Sequence, residues 1–207
     1  MTGTLTYLRC FWRDEVGTVL VELAVVLGIF VLMIFGLIDF GRLGFSYVLS
    51  EKATETAVRM AVVRPAICPN VPQVVRRTLL GTLNLGVRNG TRCSDAGGVC
   101  RAPAPVSCDG SAGQPDVAAI WAQIAPLLPV NAGPENLRFT YSYDAALNRV
   151  GAAYAPVVTV EIVDLTYQFI SPLGAFVALA GGTADESLAA DFTFSSMSAS
   201  LPSEDLR

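Results

Sequence analysis

The longest unbroken apolar pattern in this chain lies near its beginning. From Val19 to Ile38 there are 20 residues, and Glu22 is the only charged one. As a helix, that run is roughly 30 Å long at 1.5 Å per residue, the thickness of a bilayer's hydrocarbon core. A helix satisfies its own backbone hydrogen bonds, which lipid cannot do for it. The pattern then changes from continuous to periodic. Phe45, Leu49, Ala53, Ala57 and Ala61 recur every four residues, with Met60 beside the last. That is one apolar stripe on a helix, ready to pack on its own domain or on neighbouring subunits. Glu55 and Arg59 form an i,i+4 pair in the favourable order on another face. The first proline is Pro65, so the helix is expected to run from Thr18 to about Val63 or Arg64, with a bend at Gly41 and Gly44.

Past the helix the signals are shorter. Val71–Leu83 reads as a short helix with Val74, Val75, Thr78 and Leu79 on one side. Arg88–Gln114 reads as loop, with turn signals at Asn89-Gly90 and Gly97-Gly98. Asp116–Ala125 reads as a second short helix, N-capped by Asp116 and stopped by Pro126, with Val117, Ile120, Trp121 and Ile124 facing a core. Strand-like alternation appears at Leu137–Tyr143, Val157–Phe169 and Leu188–Met197. In the second of these, Glu161 and Asp164 fall out of step, which marks a bulge or bend. The tail from Ser198 reads as loose. The expected fold is α+β: a long amino-terminal helix, short helices, and an antiparallel sheet of about three strands.

Composition sharpens this picture. The 207 residues are 52% hydrophobic, with mean hydropathy +0.50. No later segment is long and apolar enough to span a bilayer again, because Glu161 and Asp164 interrupt Val157–Ile170. The chain therefore reads as single-span. There are 14 Lys+Arg against 18 Asp+Glu, which argues against a nucleic-acid partner. There is no histidine and only one lysine, Lys52. That excludes His-based acid–base chemistry, Ser-His triads and His-ligated zinc. Asp95 and Asp185-Glu186-Ser187 supply oxygens but no nucleophile–base pair, so an anchored hydrolase is disfavoured. No cofactor is expected.

Five cysteines divide into two groups. Cys10 precedes the apolar helix. Cys68, Cys93, Cys100 and Cys108 follow it within 41 positions. Four cysteines on one side of the helix point to two disulfides in an oxidising compartment, each contributing on the order of 3 kcal/mol, with three connectivities open. A four-thiolate zinc site is the alternative, disfavoured because no CxxC pair is present. The cysteines place the carboxyl side outside. Arg9, Arg13 and the amino terminus favour a cytoplasmic leader, although Arg42, Lys52, Arg59 and Arg64 also follow the helix closely.

The run GTVLVELAVVLGIFVLMIFGLIDFGR, Gly17 to Arg42, resembles the TadE-like segment of the tight-adherence (Tad) pilus and secretion systems. The resemblance rests on Gly17, Glu22, Asp39, Gly41 and Arg42 and covers about residues 16–58. It implies a non-enzymatic pseudopilin or minor pilin, single-pass in a bacterial inner membrane, with its amino terminus cytoplasmic and its carboxyl domain periplasmic. By that resemblance 1–17 is a leader cut by a prepilin peptidase between Gly17 and Thr18, and 65–207 is the extracytoplasmic domain. Glu22, then the fifth residue, would pair with the new amino terminus of a neighbouring subunit. The implied partners are the peptidase, other pilins or pseudopilins, the inner-membrane assembly platform and the lipid bilayer. A lone carboxylate in lipid is costly, and a free amine at the same depth is a natural partner. The alternative is an uncleaved, membrane-anchored binding module in which Glu22 snorkels to the headgroups. Ala24 and Gly28 form a small-xxx-small pair that permits close helix approach. Asp39 and Arg42, three apart, are spaced to pair at the membrane boundary.

Overall fold

A computed structural model describes residues 16–79, 87–95, 98–169 and 192–204. Helix α1, Val16–Ala61, runs through Gly41 and Gly44 as one element. It ends four residues before Pro65, close to its expected stop. The chain divides into two compact units. The first contains α1 as far as Leu43, together with Phe169, whose ring stands edge-on to Phe40 at 6.4 Å. The second begins at Gly44 and holds everything else described below.

The second unit is built on a four-stranded antiparallel sheet. Its strands are β1 (Val106–Asp109), β2 (Leu137–Ser142), β3 (Val157–Ile162) and β6 (Met197–Pro202), in the order β1-β2-β3-β6. Two short strands, β4 (Thr166–Tyr167) and β5 (Phe192–Thr193), pair separately. Strands β2 and β3 alternate buried and half-buried positions in register. Leu137 opposes Ile162, Phe139 opposes Val160, and Tyr141 opposes Val158, so all six side chains share the inner face. Period-2 alternation is what a sheet with one covered face requires.

The cover is helical. In helix α2, Pro115–Ile124, the buried residues are Val117, Ile120 and Ile124, spaced for one helix face. The carboxyl half of α1 contributes Ala53, Ala57 and Ala61, each 0% exposed, with Val58. Tyr47 on the same half lies 6.0 Å from Phe194. Gly110, after β1, sits where a Cβ would meet the Pro134 carbonyl at 2.5 Å and the side chains of Val117 and Leu137. Only glycine fits that approach of turn, helix and strand.

Several expectations change. The α1 stripe is broader than the alanine repeat: Ser50, Thr54 and Val58 are also buried, as is Val62 just past the helix end, whereas Phe45 is exposed. The hydroxyls of Thr54 and Ser50 donate to the carbonyls of Ser50 and Ser46, which satisfies them inside a packed face. Glu55 pairs with Lys52 at 2.8 Å, three residues back, and not with Arg59. Lys52 holds the Glu55 carboxyl below its ordinary range, and Arg59 adds only a minor, longer-range pull.

Of the helix expected over Val71–Leu83, residues 71–78 are extended, Leu79 is helical, and 80–83 lie outside the described residues. Val74 bridges Ala153 and Arg77 bridges Cys100, with Val75 buried and Val74 exposed. Pro72 and two adjacent valines suit this edge better than a helix. The expected loop at Arg88–Gln114 contains β1, a four-residue strand too short to show a period. Helix α2 starts at Pro115, the first-turn position proline favours, with Gln114 as its cap. Asp116 lies in its first turn and bonds Arg64 at 3.3 Å. Trp121 is half-buried and the chain continues past Ile124 as a 3₁₀ turn through Pro126. The bend expected near Glu161 and Asp164 falls at Asp164, which has φ +53°. The last strand is Met197–Pro202, so the tail expected to be loose is a sheet edge instead. Residues 188–191 of the expected third strand lie outside the described residues.

Candidate functional site

The amino-terminal half of α1 is the first candidate. Its apolar side chains from Val19 to Phe40 are largely exposed; Phe30, for example, is 57% exposed. Soluble monomers rarely expose a contiguous apolar surface of that extent, which is characteristic of contact with lipid or other protein. Among the described residues one helix is long and apolar enough to cross a membrane, which is consistent with membrane anchoring. Gly17, Thr18 and Glu22 all lie in helical backbone and are exposed. Leu23 to Ile38 separates Glu22 from Asp39, so the two acids bracket the run about 26 Å apart along the axis. They are not alike: Asp39 is 3% exposed, whereas Glu22 is open. Gly41 and Arg42 are exposed, and the salt bridges among the described residues do not join Asp39 to Arg42. A Cβ built on Gly28 meets nothing within 4 Å, and Ala24 is likewise exposed, so the small-xxx-small notch is open.

The four downstream cysteines form two disulfides, Cys68–Cys108 and Cys93–Cys100, which excludes the zinc alternative. The first ties the segment after α1 to β1 across 40 residues. It lies beside Tyr141, whose hydroxyl accepts a hydrogen bond from the Ile67 amide at 3.0 Å and whose pKa burial pushes up. The second closes a seven-residue separation in a lobe made of residues 71–79, 87–95, 98–104 and 143–156. Asn148 clips this lobe. It is fully buried, donates to the carbonyls of Asp144 and Ala155, and accepts from the Ala155 amide. Tyr154 and Tyr143 stack at 6.4 Å over Val75 and Cys93. Burial pushes the Tyr154 hydroxyl up to about 12. A surface groove of about 660 Å³ opens in the lobe, lined in part by Pro72, Arg76, Arg101, Pro103 and Tyr154.

That groove is what sequence reasoning missed. Arg76 and Arg101 are 25 residues apart, and only the antiparallel pairing of Arg77 with Cys100 brings them opposite one another. No local spacing announces it. Cys10, Arg9 and Arg13 lie outside the described residues, as do Asp185, Glu186 and Ser187. Asp95 is exposed, and its carboxylate accepts only from the neighbouring Ser94 hydroxyl among the contacts described.

The site is thus a long exposed apolar helix bearing an acid one turn in, joined to a small disulfide-bonded α+β unit. Residues 17–59 match the model of the TadE-like protein family, one residue displaced from the segment expected from the motif, and the chain carries a TadE-like domain there. That domain implies a role related to the Tad pilus. No curated protein matches the chain, and no solved structure matches it.

Proposed function

We propose that this protein is a pseudopilin or minor pilin of a tight-adherence pilus system, cut by a prepilin peptidase between Gly17 and Thr18. The reading is supported above all by one observation: Glu22 is an exposed carboxylate in an exposed apolar helix within the TadE-like domain. Cleavage removes the leader 1–17 and creates an amine at Thr18, four positions before the acid. One turn of helix rises about 5.4 Å, so on an adjacent parallel helix that amine lies within reach of Glu22 after a small axial offset. In lipid the pair cancels two charges that are each costly alone. The partners are the peptidase, other pilins and pseudopilins, the inner-membrane assembly platform and the bilayer. The helix spans the inner membrane, its start is cytoplasmic, and the domain 65–207 is periplasmic, where both disulfides form.

The test is Glu22→Ala. Its domain core lies elsewhere, and removing a charge eases insertion. The variant should be stable, processed and membrane-bound, yet recovered with other pilins at least about ten-fold less than wild type, the equivalent of ~1.4 kcal/mol. Copurification equal to wild type contradicts the pairing role.

A further inference from the structure

The second unit is electrically polar, and the polarity follows the β2–β3 ladder. At one end, Asp109, Arg138 and Glu161 occupy one cross-strand row. Arg138 Nε donates to Asp109 Oδ1 at 2.8 Å, and that bond, then Glu161 and Asp164, holds the guanidinium charged. Three carboxylates thus surround one cation, with exposed Glu135 two residues before β2. At the other end, past the Ser142–Val157 pair, is the disulfide lobe. It carries Arg76, Arg77, Arg88, Arg92, Arg101 and Arg149 against Asp95 and Asp144, while the rest of the chain has 8 cations and 16 acids. The four residues of β2 between the acidic row and the lobe span about 13 Å.

The lobe's arginines are not merely numerous. Arg92 stands directly opposite Arg149 in an antiparallel bridge, and Arg76 stands opposite Arg101, whose amide donates to the Arg76 carbonyl at 2.8 Å. Like charges placed directly opposite one another are destabilising. All four side chains are exposed, and among the described residues none of the four joins a salt bridge. Arg76 and Arg101 flank the groove, whose other walls include Pro72, Pro103 and Tyr154. Two guanidinium groups on apolar walls favour carboxylates, which they bind in a bidentate, partly desolvated geometry.

We propose that the arginine groove of one copy of this chain docks on the acidic end of the next copy, at Asp109, Glu161 and Asp164. The opposed arginines of the groove and the excess carboxylates around Arg138 each meet opposite charge on a neighbour. The contact is heterologous, because the two surfaces are different patches at opposite ends of one ladder, and such contacts propagate into rings or open filaments. The inference deepens the assembly reading above and rests on it for the expectation that copies meet. It concerns the domain, not the helix.

The experiment uses the full-length chain in neutral detergent micelles, with association followed by sedimentation velocity and the fold checked by circular dichroism and intact disulfides. One variant is Arg76→Glu with Arg101→Glu. The other is Glu161→Arg with Asp164→Asn, asparagine being chosen because it tolerates the positive φ. Wild type should self-associate, and raising salt from roughly 0.05 M to roughly 0.5 M should weaken it at least about ten-fold. Each variant alone should lose association to a similar degree. An equimolar mixture should recover it, since the altered end of each fits an end of the other. Wild-type association that ignores salt, either variant associating as wild type, or a mixture that stays dissociated overturns the proposal. Processing at Gly17 is independent of this contact, so a failure of the pilin reading is told apart from a failure here.

Discussion

The two halves of α1 are one helix made from opposite materials. Before Leu43 its side chains are large and apolar, Leu, Val, Ile and Phe, and they are mostly exposed. After Gly44 they are smaller and more polar, yet Ser50, Ala53, Thr54, Ala57, Val58 and Ala61 are buried. Hydrophobicity alone would rank burial the other way round. What decides is the partner. Within the domain, small side chains let the helix backbone approach its cover closely, and two hydroxyls are satisfied by their own helix. On the amino-terminal half, bulk and apolarity suit lipid or a bundle of like helices.

The largest test of that contrast is a pair of phenylalanines. Phe139 is 0% exposed at the centre of the sheet face. Phe139→Ala should cost about 5 kcal/mol of domain stability, since the side chain is fully buried in a closed face. Phe30→Ala, on the exposed half, should leave the domain's denaturation midpoint where it is. Equal losses in chemical denaturation would erase the distinction between the halves.

Next come the disulfides. Replacing Cys68 and Cys108 by Ser releases a 40-residue separation and should cost about 3–4 kcal/mol. The same change at Cys93 and Cys100, seven apart, should cost only about 2–3 kcal/mol. Thermal melts of the two double variants give the order. A larger loss at the short loop would mean that the lobe, and not the junction between α1 and β1, holds the domain together.

A smaller effect is expected from pH. The Tyr154 hydroxyl is raised from 10.0 to about 12 by burial. An unfolded chain then loses this proton before the folded one does. The unfolded state binds fewer protons, so stability falls as pH rises from about 10 towards 12, by about 2 kcal/mol. Below pH 10 the contribution is fully present. Tyr154→Phe should flatten this alkaline decline, as read from denaturation at stepped pH. A decline unchanged in the variant would assign it to Tyr141 and Tyr143, which burial also raises.

The legible parts of this chain share a physical cause. The apolar run, α2, β2 and β3 each repeat a pattern long enough to set a period, and Pro65 and Pro115 punctuate it near where the helices end and begin. The illegible parts depend on pairing across distance. Val71–Thr78 has helical spacing on paper, but its bridges to Ala153 and Cys100 pull it extended. β1 and β6 are strands because β2 and β3 offer them edges; Met-Ser-Ala-Ser-Leu-Pro has little strand preference of its own. That the four cysteines after the helix form two disulfides could be read from sequence. Their connectivity and the arginine groove could not, because both arise from register between segments far apart in the chain.

On the proposed pathway, α1 begins behind a leader and ends as the free tip of an assembling helix. Intact mass of the protein extracted from membranes, in cells carrying the cognate prepilin peptidase, tests this in one spectrum. The expected mass is that of a chain from Thr18 to Arg207, 190 residues, four hydrogens lighter than its reduced form and lacking Cys10. A mass that still begins at Met1 in those cells contradicts it and leaves an ordinary anchored binding module.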